Sequence, residues 1–468
     1  VSAPFFLFVR FYMIHRYTQN GLNFLLDVNS GAVHLLDDVA YAVSGLISSP
    51  MAEICPETVF SALSGDYSRD DITAAYADLL DLYENGLLFS SDDYIDLDKI
   101  PIRGDTPIKA LCLHVSHDCN LRCRYCFAST GDFGTGRLIM SPETAKKAID
   151  FVISKSGSRR NIEIDFFGGE PLMAFETVKA TVEYAKEKGR EHGKNFRFTI
   201  TTNGMLLDDD KIDYINREMS NVVLSLDGRK EINDAMRKTP SGAGSYDIIV
   251  PKFKKLVDAR DKDKDYYIRG TFTRRNLDFS NDIMSIANEG FKHISVEPVV
   301  SEDGCGYELR EEDLAEIFSE YDRLCEIMLK EHRKDDGFNF FHFNIDLEQG
   351  PCVIKRLRGC GAGHEYVAIT PEGDIYPCHQ FVGNEDFKMG SLDQGILRHD
   401  ISDTFSHMNV LEREGCKDCW AKFYCSGGCS AGNYNMNKDI RIPYKLACEL
   451  EKKRVECAIY LKAAEAGE

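Results

Sequence analysis

Three cysteines stand within eight residues, in the run Ser116-His117-Asp118-Cys119-Asn120-Leu121-Arg122-Cys123-Arg124-Tyr125-Cys126-Phe127. The C-x3-C-x2-C spacing follows a predicted strand over 110–116. Three thiolates can hold three irons of a cubane cluster and leave the fourth iron open to an exogenous ligand. A bare C-x2-C pair also occurs in zinc ribbons and redox pairs, but a structural zinc site takes four protein ligands, and no fourth Cys or His is obvious beside this triplet. A second concentration lies downstream: Cys360, Gly373 and Cys378, then Cys416-x2-Cys419-x5-Cys425-x3-Cys429, and finally Cys448. Thiolate-rich sites of this kind suit iron–sulfur clusters and, as the alternative, zinc. The chain has 16 cysteines in 468 residues. A small secreted scaffold uses cysteines as staples, but a chain of this length has core enough without them, so the clustering points to metal or redox chemistry.

The elements that must position these groups fall into three regions. Residues 13–98 open with strand-like runs at 22–28 and 32–36 around Asn29-Ser30-Gly31, a hairpin signal. Asp37 and Asp38 offer an N-cap to a helix at 39–48, and further helices are predicted at 57–64 and 70–85. Together they make a compact winged-helix-like unit. Residues 108–335 alternate predicted strands (110–116, 161–167, 196–201, 221–226, 266–273, 292–299) with helices (142–155, 175–192, 208–218, 246–259, 280–289, 310–333). Six strand–helix units imply parallel strands with right-handed crossovers, and six being short of eight, the fold class is α/β with a partial (β/α)6 barrel. Residues 336–468 are rich in Gly and Cys with weak strand alternation, so something besides a hydrophobic core is expected to hold them; a terminal helix at 443–465 carries Cys448.

Composition narrows the partners. With 56 Lys+Arg against 76 Asp+Glu the formal charge is −20, which argues against nucleic acid and anionic membranes. No run approaches the 18 or so apolar residues of a membrane span. The apolar stretch from Phe5 to Val9 is interrupted by Arg10, so no secretory leader is expected. The chain opens on Val1, Met13 can serve as a start, and residues 1–12 are set aside from the fold reading. Clustered thiolates fit a reducing, oxygen-poor cytoplasm.

The cysteine loop resembles the hallmark of the radical S-adenosylmethionine (SAM) superfamily, and further motifs of that family follow in order at strand ends: Gly168-Gly169-Glu170-Pro171, Thr202-Asn203-Gly204, Ser225-Leu226-Asp227-Gly228, the alternating Arg269, Thr271 and Thr273, and Val296-Glu297-Pro298. The resemblance implies that Cys119, Cys123 and Cys126 hold a 4Fe–4S cluster whose open iron binds SAM. It further implies that Gly168, Gly169 and Glu170 hold the SAM amine, with no Cβ in the first two residues to keep backbone away. Asn203, Ser225 and Arg237 would take the ribose hydroxyls and carboxylate, and Tyr125 with Phe127 would border the adenine. The tail spacing is similar to the SPASM extension of peptide-modifying radical SAM enzymes, which holds two auxiliary 4Fe–4S clusters. By that resemblance Cys416, Cys419, Cys425 and Cys448 ligate one, and Cys360, Cys378 and Cys429 the other. Cys352 either completes the second set or leaves an iron open to a substrate thiolate. Cys55, Cys112, Cys305, Cys325 and Cys457 remain as core thiols.

The front unit resembles the PqqD-like elements that bind a leader peptide as an added strand. The edge would be Ala32, Val33, His34, Leu35 and Leu36, with helix 70–85 as the other wall. From Met13 onward the chain resembles the maturases of six-cysteine (SCIFF) peptides, notably over His15-Arg16-Tyr17 and from Leu26 to His34. That resemblance implies three 4Fe–4S clusters and SAM as cofactors, a cysteine-rich precursor peptide with a leader as substrate, and an external electron donor of flavodoxin or ferredoxin type. The implied reaction joins a cysteine sulfur to a carbon of another residue; formylglycine formation, as in sulfatase maturases, is the alternative. No catalytic residue beyond the clusters is singled out.

Overall fold

A computed structural model of the chain describes residues 12–92, 106–301, 304–334, 337–345, 347 and 353–466. Cys352 and the last residues of the 13–98 region lie outside the described residues. The centre is one sheet whose strands Ala110–Ser116, Asn161–Gly168, Asn195–Thr202, Asn221–Ser225, Asp265–Phe272 and His293–Pro298 lie side by side in chain order. Every neighbouring pair among them is parallel. Each bound falls within one residue of its prediction. The period-2 pattern explains why: Asn161–Gly168 alternates buried and half-buried residues with Ile162, Ile164 and Phe166 inward to the helices. The intervening helices carry matching signals. Ser141 caps Pro142–Lys155 by accepting from Thr144 N, and Gly193 ends Phe175–His192 with φ 65°.

Three features depart from expectation. A short helix, Lys230–Met236, leads into a two-residue strand, Arg237–Lys238, which pairs antiparallel with Arg122–Cys123 of the cysteine loop. The central sheet also runs past the six strands. Tyr366–Ile369 joins it parallel to Ala110–Ser116, followed by Asp374–Tyr376, Gly390–Ser391 and Gly395–Ile396, while Asn339–Phe340 extends the far edge. Finally, the tail does not lack a hydrophobic core. Val367, Ile369, Ile375, Phe405, Val410, Phe423 and Leu450 are buried in the same cluster as the barrel residues.

The front unit is a three-stranded antiparallel sheet, Ile14–Gln19, Leu22–Asp27 and Val33–Leu36, with helices Asp38–Ser44, Glu57–Leu63 and Arg69–Glu84. Ala32 precedes the third strand rather than opening it. Both faces of the middle strand are buried. Leu25 packs with Val43, Val59, Phe60, Ile72 and Leu79, whereas Phe24 and Leu26 join the main core. The first strand lies against the terminal helix, Lys445–Ala466: Tyr17 Oη donates to Glu456 O at 3.1 Å, and His15 pairs with the Glu456 carboxylate at 2.9 Å. His15 also stacks on Trp420, ring centroids 3.7 Å apart. The third strand has a neighbour on one side only among the described strands, and its Leu35 is 54% exposed.

Candidate functional site

The first barrel strand delivers Cys119, Cys123 and Cys126 to its C-terminal end, where barrel active sites gather. The Gly168-Gly169 turn lies directly on this loop. A Cβ on Gly168, where φ is +129°, would stand 2.1 Å from Ser116 O, and one on Gly169 2.2 Å from Asp118 O. Gly169 N donates to Ser116 O (2.7 Å) and Glu170 N to Asp118 O (2.9 Å). The missing side chains thus let two turns touch. Glu170 is buried, and its carboxylate accepts from Thr202 Oγ1 (2.7 Å), Leu172 N (3.1 Å) and Asn203 N (2.8 Å), tying the second strand's turn to the third's. Burial pushes its carboxyl up to about 7 even against these hydrogen bonds. Asn203 Nδ2 in turn donates to Asn120 Oδ1 at 2.9 Å and approaches Cys119 Sγ at 3.6 Å.

On the opposite side of the loop, Asp227 organises three groups. Its carboxylate accepts from Tyr125 Oη (2.6 and 2.7 Å), Arg237 Nε (3.0 Å) and Thr271 N (3.1 Å), and it is fully buried. Arg237 lies beneath the Tyr125 ring and is the register partner of Cys123. Tyr125 is therefore oriented by Asp227, and Phe127, half exposed, turns toward Phe133, Phe167 and His379. Ser225 ends the fourth strand beside Arg269, which pairs with Glu297. Asp227 lies inside a motif visible in the sequence, yet nothing in a single Asp marks it as the hub.

The cysteines gather in three sets. Cys119 feels the charges of Cys123 and Cys126. Cys378 feels Cys429 and Cys360. Cys448 feels Cys416 and Cys419, and Cys425 feels Cys448 and Cys416. A cavity of about 580 Å³ is lined by Cys416, Cys419, Cys425 and Cys448 together. Among the described residues no three His, Cys, Asp or Glu side chains are arranged to hold a single metal ion. The donor sets fit clusters: soft thiols, three or four per set, from one short loop in the first set and from separate segments in the two tail sets. Burial raises Cys119, Cys378 and Cys425 to about 12 and Cys123 and Cys448 to about 11. Without iron they are protonated at neutral pH, so metal loading must release protons. Of the remaining thiols Cys55, Cys112, Cys325 and Cys457 are buried as expected, but Cys305 is exposed, in a loop beyond the last barrel strand where no sheet covers it. One buried residue that no sequence signal marks, Arg413, lies between the two tail sets.

A parallel-stranded α/β unit carrying the three-cysteine loop, followed by a cysteine-rich tail, is the arrangement on which two family models fall. Residues 113–262 match the Radical SAM superfamily, and residues 360–420 match SPASM, an iron–sulfur cluster-binding domain. The chain is 26% identical over 369 residues to the radical SAM cyclopropyl synthase TigE of Paramaledivibacter caminithermalis, covering 74% of this chain and 72% of that one. It shares the fold of tagged anSMEcpe with bound AdoMet (TM-score 0.63, 20% identity, 77% of this chain and 96% of that one). It also shares the fold of Streptococcus suis SuiB bound to precursor peptide SuiA (TM-score 0.52, 16% identity, 94% and 100%). No described helix is long and apolar enough to cross a membrane.

Proposed function

We propose that this chain is a radical SAM peptide maturase that joins a cysteine sulfur to a carbon of another residue in a leader-bearing, cysteine-rich precursor peptide. The observation that carries the reading is the gathering of ten cysteines, from Cys119 to Cys448, into three sets, one at the mouth of a parallel sheet and two in the tail joined to that sheet. With clusters and SAM bound, the site would supply one-electron cleavage of the sulfonium and hydrogen-atom abstraction from the peptide. The chain's own residues do the rest. Gly168 and Gly169 offer backbone to the SAM amine, Glu170 locks that turn to Asn203, and Asp227 fixes Tyr125 and Arg237 against the loop. Cys360, Cys378 and Cys429 would hold one auxiliary cluster, with Cys352 either completing it or leaving an iron open to the substrate thiol, and Cys416, Cys419, Cys425 and Cys448 the other.

The front sheet supports a leader-binding role because the terminal helix covers its first strand, whereas Val33, His34, Leu35 and Leu36 form an edge with no second strand beside it among the described residues. Helix Arg69–Glu84 would form the other wall, and just past its end Leu87 O lies 2.9 Å from His34 Nε2. An external one-electron carrier of flavodoxin or ferredoxin type would supply the reducing electron.

Anaerobic incubation with SAM, reductant and a leader-bearing peptide tests this reading. The expected product is lighter by two hydrogens and has one cysteine closed to thiol alkylation. Leu35→Asp should raise the peptide's KM without lowering iron content; it is preferable to removing the front unit, which would strip Tyr17 and Phe24 from the terminal helix. A product altered at a single cysteine or serine to an aldehyde would refute thioether formation.

A further inference from the structure

We infer that Arg413 is the shared counter-ion of the two tail cluster sites, setting their charge balance rather than the shape of their loop. This rests on the reading of the two cysteine sets as cluster ligands. Arg413 is 4% exposed and makes no ion pair with any described carboxylate. Its Nη1 donates to Gly427 O, its Nη2 to Ser430 Oγ at 2.9 Å, and its Nε is buried with no acceptor. By contrast Arg260, also buried and without a salt bridge, places Nε, Nη1 and Nη2 on three acceptors. A guanidinium stays charged under all ordinary conditions, and a buried charge with neutral partners alone is costly. Something anionic must answer it.

The position says what. Gly427 stands between Cys425 of one set and Cys429 of the other, and its backbone lies so close that a Cβ there would meet Arg413 Cδ at 3.0 Å. Arg413 therefore sits under the short bridge that joins the two sets. It lies in electrostatic reach of Cys416 and Cys425 on one side and Cys429 and Cys360 on the other. A thiolate-ligated cubane is anionic, and more so once reduced. A buried cation between two of them favours the reduced state of both, because charge and burial set cluster potentials. In the apoprotein only the neutral Gly427 O and Ser430 Oγ answer that charge.

The test compares Arg413→Gln and Arg413→Lys with the parent, each purified anaerobically with its clusters. Redox titration followed by electron paramagnetic resonance is the readout. Arg413→Gln should lower the midpoint potentials of both tail clusters, shifting the ratio of reduced to oxidised cluster at least tenfold at fixed potential, about 59 mV for one electron. Arg413→Lys should restore most of the shift, and the Cys119/Cys123/Cys126 cluster should not move. A second measurement needs no clusters: apoprotein Arg413→Met should unfold at the same or higher urea concentration than the parent apoprotein, and the order should reverse after reconstitution. Unmoved tail potentials in Arg413→Gln, a shift in one cluster alone, or an apoprotein Arg413→Met weaker than its parent would overturn the inference. A parent that binds no iron would overturn the ligand reading and this inference with it, whereas a fully loaded parent with unmoved potentials would overturn the inference only.

Discussion

Asp227→Asn isolates one charge at the centre of the barrel site. The amide keeps an oxygen for Thr271 N and Arg237 Nε and a nitrogen that Tyr125 Oη can accept from, so shape and most hydrogen bonds survive. What disappears is the negative charge 3.0 Å from the Arg237 nitrogen, in a place where Asp227 is fully buried and Arg237 9% exposed. At an effective dielectric near 20 that attraction is worth about 5 kcal/mol. Breaking one partner of a buried pair costs about 3–5 kcal/mol in practice, much of it the isolated charge left behind. Asp227→Asn should therefore destabilise the apoprotein by roughly 4 kcal/mol. The double variant Asp227→Asn/Arg237→Gln removes both charges and should recover at least half of that loss, giving a coupling energy of about 2 kcal/mol or more. The assay is urea unfolding of the apoprotein followed by circular dichroism, with the four members of the cycle side by side. A loss below about 1 kcal/mol for Asp227→Asn, or a double variant as weak as the sum of the singles, would refute the view that Asp227 acts chiefly as the counter-charge to Arg237.

Glu170 makes stability depend on pH with a definite sign. Its carboxyl rises from 4.5 in the unfolded chain to about 7 in the fold, so the folded state binds more protons between those values. Its contribution is greatest below about pH 4.5 and falls as pH rises through about 7, a loss of roughly 3 kcal/mol. Urea midpoints of the apoprotein should fall more between about pH 5 and pH 8 in the parent than in Glu170→Gln, where Asp165, raised to about 6, still titrates and the amide, facing a donor, costs about 1–3 kcal/mol throughout. Trp420 is the sole tryptophan, so its fluorescence reports the junction of the front sheet and the tail. His15→Ala should shift that emission to the red and cost about 1 kcal/mol. Chelating the iron from loaded protein should open Cys360 and Cys429, exposed in the absence of metal, to alkylation beside the always exposed Cys305, and a loaded protein that already alkylates at Cys360 contradicts the ligand assignment.

The six barrel strands and their helices were legible in the sequence because each strand buries one face against helices and repeats with period two, as in Asn161–Gly168. The two concentrations of cysteine were legible because the spacing is local for Cys119, Cys123 and Cys126 and for Cys416 to Cys429, whereas how the tail thiols divide is not given by spacing. Tyr366–Ile369 was not legible as a sheet strand, because four residues carry little periodicity and their partner, Ala110–Ser116, lies far away in the chain. The roles of Glu170 and Asp227 depend on which turns meet across the barrel mouth, and that is a property of the sheet order rather than of either motif. Arg413 is invisible for the same reason. Its meaning comes from the two cysteine sets that the fold wraps around it.

In the proposed reaction the Cys119/Cys123/Cys126 loop uses SAM for radical chemistry on a peptide. The most direct test is the anaerobic count of 5′-deoxyadenosine formed against peptide molecules that lose two hydrogens, in the parent and in Cys119→Ala with its tail clusters intact. One 5′-deoxyadenosine per thioether formed is expected in the parent, and neither product in Cys119→Ala. Peptide modification that persists in Cys119→Ala, or that proceeds in the parent without 5′-deoxyadenosine, would contradict it.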